Sequence, residues 1–278
     1  MQKEIIAGPC SITKKEDILN LLTLDIQGVR IVGLKSRSKY SEDNHEMGID
    51  LPVYLENKRI LIQEGSNKNF KIYPSIEIAN EIHKEYPHIL ISTEIVDPLI
   101  QLPVWEKYYN GKLLIWNPSI NQLGWSIHTM SEYLKRNNLW NIGIKNGKWI
   151  GKTGKDTWKN LISYIKILNI DNERIYLIHR GFDINRNIFN NKYRNVPKHN
   201  LAFQLKKELG IKLLFDTSHS LGKDMRNNIV KTSIDCLKKK INNEYIYDGL
   251  LLEVGESYTD TDQHIKKEEL QKILSSIS

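Results

Sequence analysis

Asp216, Thr217, Ser218 and His219 stand in a row directly after the apolar run Leu213–Phe215. The run reads as a buried strand, and the four polar groups mark its C-terminal end. A strand that is apolar along its length and polar only at its tip is the pattern of an α/β enzyme where the sheet meets the active site. The pattern recurs along the chain. Apolar runs end in Gly8-Pro9-Cys10-Ser11, in Thr93-Glu94 with Asp97 beyond, in Lys145, in His179-Arg180-Gly181 and in Glu253. Another run carries Arg30 and leads into Lys35-Ser36-Arg37-Ser38, and Asp260 and Asp262 follow the last strand. Gathered at one mouth, these residues make two partial sites. One is a cluster of metal-ligand types, and the other is a basic lining suited to phosphates and carboxylates.

Each residue has a plainer reading when taken singly. Cys10 would be a small buried hydrophobe, and His219 or Glu253 a satisfied polar group. Lys35, Arg37, Lys145 and Arg180 would be solvated charges. For the metal-ligand types, a common position at one mouth reverses that reading. Lys145 and Arg180 directly follow apolar strands, where a cation without an anionic partner is costly. Cys236, beside the apolar stripe of a helix, receives no function.

The elements that must position these groups alternate. Strands are expected at Glu4–Ala7, Arg30–Leu34, Ile89–Thr93, Leu113–Trp116, Asn141–Lys145, Ile175–His179, Lys212–Asp216 and Gly249–Val254. Helices are expected at Lys15–Ile26, Ile76–Tyr86, Pro98–Tyr109, Trp125–Asn137, Lys155–Asn169, His199–Leu209, Arg226–Asn242 and Lys267–Ser276. The clearest is Lys155–Asn169, where Trp158, Leu161, Ile162, Ile165 and Leu168 recur at helical spacing. Ser41–Phe70 reads as a long, irregular polar insertion. Eight βα units in 278 residues predict one (β/α)8 TIM barrel of the α/β class, in a single domain. A doubly wound open sheet is the runner-up. No glycine-rich nucleotide fingerprint follows any strand.

Composition bounds the partners. A hydrophobic fraction of 40% with 26% charged residues is ordinary for a soluble globular chain. Two cysteines are too few for a disulfide framework and point to a reducing cytoplasm. No apolar run approaches the ~20 residues of a membrane span, and no targeting segment precedes the first strand. The net charge of +7 is carried by scattered lysines, without the aromatic-interleaved stripe of a nucleic-acid surface, and would help to gather anionic substrates.

Eight motifs in fixed order carry a resemblance. They are Ala7-Gly8-Pro9-Cys10-Ser11, Lys35-Ser36-Arg37-Ser38, Thr93-Glu94, Ile144-Lys145-Asn146, Ile178-His179-Arg180-Gly181-Phe182, Lys192-Tyr193-Arg194-Asn195, Asp216-Thr217-Ser218-His219 and Asp248-Gly249-Leu250-Leu251-Leu252-Glu253. Together they resemble the 3-deoxy-7-phosphoheptulonate (DAHP) synthase family, nearest to the form fused to chorismate mutase in some bacteria. The likeness runs from about Ile5 to Ile265. It implies a (β/α)8 barrel that condenses phosphoenolpyruvate with erythrose 4-phosphate, the first step of the shikimate pathway to chorismate and the aromatic amino acids.

The resemblance implies that Cys10, His219, Glu253 and Asp260 hold one divalent metal ion, with Asp260 preferred to Asp262. Such a mixed sulfur, nitrogen and oxygen set suits manganese, iron, cobalt or zinc rather than magnesium. Arg30 and Lys145 would face the carboxylate of phosphoenolpyruvate and Arg180 its phosphate. Lys35, Arg37 and Ser38 would hold erythrose 4-phosphate, and Asp216 joins the substrate-binding set. Lys145 is the expected proton donor, with Lys35 and Glu94 as further catalytic candidates. Lys35-Ser36-Arg37 fits the seven-carbon enzyme better than its eight-carbon sister, which spaces the two cations one residue further apart. A homo-oligomer is expected, with chorismate mutase, if used, on a separate chain.

The chain also departs from the family. Where Gly-Ala-Arg is usual after strand four, it has Trp116-Asn117-Pro118-Ser119, with Ser119 at the position of a phosphate-gripping Arg. Loss of such a charge-assisted contact costs on the order of a few kcal/mol and predicts weaker substrate affinity. Ser36 replaces the proline after the motif lysine, and the histidine that often follows the strand-eight Glu is Gly255 here or is shifted. Rival expectations are a catalytically impaired phosphate-binding paralogue, a related barrel synthase using another aldehyde, and a Schiff-base aldolase with Lys145 as nucleophile.

Overall fold

The structure, a computed structural model, describes residues 3–12, 14–24, 28–31, 48–119, 121–147, 154–182, 193–257 and 261–277. Eight parallel strands close into a barrel: β1 (Glu4–Gly8), β2 (Gly28–Arg30), β3 (Leu90–Glu94), β4 (Leu113–Trp116), β5 (Trp140–Lys145), β6 (Ile175–His179), β7 (Lys212–Asp216) and β10 (Gly249–Glu253). Between β7 and β10 lies a small antiparallel pair, β8 (Lys240–Ile241) and β9 (Glu244–Tyr245). Closure is made by β1 against β10, from Glu4 opposite Gly249 to Gly8 opposite Glu253. The fold is therefore the expected (β/α)8 barrel, and this pairing rules out the open sheet.

The period of two sorts each strand into two faces. Outward residues such as Ile5, Ile91, Ile142, Leu177, Phe215 and Leu252 pack under the helices in the main core. Inward residues Ile6, Leu114, Trp116, Tyr176, Ile178, Leu214 and Leu251 fill the barrel. Because helices cover one face and the packed interior the other, the strands are apolar on both, and they read as runs rather than alternations. At the N-terminal mouth Lys212 closes the interior, its Nζ 2.6 Å from Glu4 Oε1 and 3.0 Å from Tyr176 Oη.

The helices are α1 (Glu16–Leu19), α2 (Leu51–Glu64), α3 (Pro74–Glu85), α4 (Pro98–Tyr108), α5 (Gly124–Arg136), α6 (Gly154–Lys166), α7 (His199–Leu209), α8 (Thr217–Leu221), α9 (Ile229–Lys238) and α10 (Lys267–Ser275). Helix α6 is pinned to the barrel where Trp158 Nε1 donates to Ile144 O at 2.9 Å. Among the described residues no helix is long and apolar enough to cross a membrane.

Four local expectations are corrected. Residues 51–64, expected within an irregular insertion, form α2, which carries Pro52 in its first turn and ends at Gly65 in the left-handed region, φ 62°. The first helix is shorter than Lys15–Ile26: beyond α1 the chain continues through Leu24 in tighter turns bonded three residues apart. The helix expected over Arg226–Asn242 stops at Lys238, because Asn242 and Asn243 adopt positive φ and turn the chain into the β8–β9 hairpin. Finally, β2 ends at Arg30 instead of beginning there, which moves this guanidinium from the foot of the strand to its C-terminal tip.

Candidate functional site

The residues directly above the inward apolar layer are polar or charged on nearly every strand. Two positions beyond Leu214 is Asp216, beyond Leu251 is Glu253, and beyond Ile178 is Arg180. Gly143 also faces inward, since a side chain there would meet Ile178 Cδ1 at 2.6 Å, so Lys145 does too. Gly28, paired with Ile6, sets Arg30 inward, and Leu90 sets Glu94 inward. Arg30, Glu94, Lys145, Arg180, Asp216, His219, Glu253 and Cys10 are all buried at this one mouth. Eight of the twelve residues expected from sequence thus come together. Lys35, Arg37, Ser38 and Asp260 lie outside the described residues.

The charges are paired across strands. Lys145 Nζ lies 2.7 Å from Asp216 Oδ2, and Arg30 Nη1 donates to Glu253 Oε1 at 2.9 Å. The Arg30 guanidinium also lies over the Trp116 ring, 5.3 Å from its centroid. Its Nε and Nη2 have no hydrogen-bond partner among the described residues. Buried N–H groups of a guanidinium are costly to leave unmet, and a bidentate carboxylate is their natural complement. Arg180 Nη1 donates to Ser119 Oγ, so these two residues, each from beyond the end of its strand, meet at the mouth.

Burial pulls the Lys145 ammonium below its ordinary pKa, helped by Arg30 and Arg180 and opposed by Asp216 and Glu94. Burial alone would raise the Asp216 carboxyl, but His219, Lys145 and Arg30 outweigh it and hold it well below the usual carboxylate range. Burial likewise works against the Arg30 charge, and Glu253, Cys10, Asp216 and Glu94 overcome it.

His219 lies between two carboxylates. Its backbone N–H and Nδ1 approach Asp216 Oδ1 at 3.1 and 3.0 Å, and its Nε2 lies 3.4 Å from Glu253 Oε1. Burial, stronger than the two carboxylates that oppose it, brings its pKa down to about 4, so the ring is neutral at pH 7 and carries one N–H. The shorter contact takes that proton, and the Nε2 lone pair then faces the Glu253 oxygen. The same Glu253 oxygen accepts from Arg30 Nη1, so it already has one cationic partner. An imidazole that donates one nitrogen to a carboxylate and offers the other is the usual arrangement of a metal-ligating histidine. On this observation the His219 ring suits a divalent cation. Cys10 stands two residues beyond Gly8, which pairs with Glu253, and its N–H donates to His264 Nε2 at 2.9 Å. Among the described residues no group of three or more His, Cys, Asp or Glu side chains is gathered closely enough to hold a metal.

Two buried side chains, named in the sequence only within longer segments, have no role in the sequence reading. Asn117 and Asn146 each follow the last residue of a strand, and each grips the backbone of the next strand's end. The signal was present as an asparagine immediately after an apolar strand, in Trp116-Asn117 and Lys145-Asn146. No protein-family model matches this chain, and no curated protein matches it.

Proposed function

We propose that this barrel is a metal-dependent synthase of the DAHP type, joining phosphoenolpyruvate to erythrose 4-phosphate with release of phosphate. The observation that carries the reading is the convergence of Arg30, Lys145 and Arg180 beside the facing pair His219 and Glu253 at one buried mouth. Three cations above an apolar floor suit a small substrate bearing both carboxylate and phosphate. The unmet Nε and Nη2 of Arg30 offer a place for the carboxylate. Arg180, on the neighbouring side of Lys145, offers the phosphate contact.

His219 and Glu253 would hold the cation, with Cys10 and Asp260 completing the set by resemblance. A divalent ion held there would supply Lewis acidity to a carbonyl oxygen. The other tasks belong to the chain. Arg30 and Arg180 fix the anionic substrate by its two ends, so that its methylene carbon is presented in one orientation. Asp216 holds Lys145 as an ammonium aimed into the mouth, able to give a proton to the oxygen that becomes the new hydroxyl. The buried site keeps bulk water from competing, while one water must reach the carbon that loses phosphate. Such a reaction would belong to cytoplasmic aromatic biosynthesis.

The depressed Lys145 favours a second reading, a Schiff-base aldolase in which its neutral amine attacks the carbonyl. One experiment separates them. Protein stripped of metal is given both substrates, and the enol absorbance is followed as manganese is restored. Metal-dependent loss with one phosphate released per turnover, unaffected by borohydride, supports the synthase. Turnover without metal that borohydride traps on Lys145 supports the aldolase. Binding of phosphoenolpyruvate without turnover under any metal points to a non-catalytic paralogue.

A further inference from the structure

Asn117 and Asn146 repeat one construction on adjacent strands. The last Cα pairing of β4 with β5 is Trp116 opposite Gly143, and the last of β5 with β6 is Lys145 opposite Ile178. The functional cation lies two residues beyond each: Lys145 after Gly143, Arg180 after Ile178. At that point the strands part, and the asparagine side chain takes the place of the backbone ladder. Asn117 Oδ1 accepts from Lys145 N at 2.8 Å, and its Nδ2 donates to Lys145 O at 3.3 Å and Asn121 O at 2.7 Å. Asn146 Oδ1 accepts from Arg180 N at 2.8 Å, and its Nδ2 donates to Gly181 O and Gly147 O, both at 2.9 Å. Both amides are buried, at 0% and 2% exposure, so nothing in solvent replaces these bonds.

We propose that Asn117 and Asn146 are positioning residues, each fixing the backbone from which one substrate-facing cation projects, Lys145 and Arg180 respectively. This inference rests on the function proposed above. An amide is suited to the task because one planar group both accepts from an N–H and donates to a C=O, as a strand does, without adding charge beside the cations. A carboxylate at either site could not donate to the carbonyls and would compete with the substrate's anions.

The test is a double-variant cycle read by calorimetric binding of phosphoenolpyruvate and of inorganic phosphate, with thermal melts to verify folding. Asn146→Ala is expected to weaken both ligands roughly tenfold, the equivalent of one lost buried hydrogen bond, in protein that still melts cooperatively. In an Arg180→Ala background the same change should have no further effect, whereas Asn117→Ala should still weaken phosphoenolpyruvate there. An Asn146 effect that persists without Arg180 would overturn the assignment, because the residue would then act on the fold at large. If the wild-type protein binds neither ligand, the proposed function fails instead. The clamp is then read by hydrogen exchange over residues 178–182. Faster exchange confined to that stretch in folded Asn146→Ala supports it, and unchanged exchange rejects it.

Discussion

His219 Nε2 stands 3.4 Å from Glu253 Oε1, while the other ring nitrogen is held 3.0 Å from Asp216 Oδ1. The ring thus donates through Nδ1 and offers Nε2, the arrangement of a metal-ligating histidine. Metal-free protein titrated with manganese in a calorimeter should therefore bind one equivalent, and His219→Ala should lose it. Asp216→Asn, which weakens the carboxylate behind the ring, should cost between about 10- and 100-fold in affinity. Equal affinity in all three proteins would remove the metal from the proposed chemistry.

The Lys145–Asp216 pair makes a prediction about stability. Both groups are buried, and removing one partner of such a pair strands the other at a cost of about 3–5 kcal/mol. The two removals are not equivalent. Lys145→Met leaves Asp216 with the two N–H groups of His219, whereas Asp216→Leu leaves the ammonium without its 2.7 Å partner. In urea melts Asp216→Leu should be the less stable single variant. The double variant should recover part of the loss, since it buries no unpaired charge. Simple additivity would show that the pair is not coupled as drawn.

Asp50 links pH to stability away from the site. It precedes α2 but reaches across to α3, where Oδ1 accepts from Ser75 N at 2.9 Å and Oδ2 from Ser75 Oγ at 2.5 Å. Burial raises its pKa from 3.8 to about 6, the two Ser75 hydrogen bonds opposing but not cancelling the shift. A raised folded-state pKa means that the stabilising proton is present below pH 4 and lost as the pH climbs through 6. The loss by pH 8 is on the order of 2–3 kcal/mol. Asn at this position can accept from Ser75 N and donate to its Oγ without carrying charge. Asp50→Asn should therefore match the wild type near pH 4 and melt higher at pH 8. A constant difference across this range would place the titration elsewhere.

Much of this architecture was legible because a barrel strand buried on both faces leaves an apolar run that ends abruptly in polar residues. Leu213–Phe215 before Asp216 and Leu250–Leu252 before Glu253 are such runs, and their tips supplied most of the site. Arg30 was placed at the wrong end of its strand because Ile31, Val32 and Leu34 continue the apolar pattern past the last paired residue. Helix α2 was missed because its apolar residues form no clear stripe: Leu55 and Ile62 face solvent, and the helix is marked mainly by Pro52 and Gly65. The two asparagines carried no charge to draw notice. Their role depends on where neighbouring strands part, which no single segment records.

Barrel closure supplies the last prediction, drawn from two glycines required for different reasons. Gly249 opens β10 opposite Glu4, and a Cβ there would lie 1.8 Å from the Glu4 carbonyl oxygen. That oxygen belongs to the backbone of β1, so relief requires the two closing strands to separate. Gly65 has nothing within 4 Å of an added Cβ, and its demand is the left-handed φ of 62° that ends α2. Gly65→Ala should then cost about 1–2 kcal/mol, the ordinary penalty for a side chain in that conformation. Gly249→Ala should exceed it, reaching or passing the upper end of the ~1–3 kcal/mol typical of overpacking. Urea denaturation of the two variants decides the order. If Gly65→Ala proved the more damaging, the β1–β10 contact would have to be looser than the paired register from Glu4 to Gly8 allows.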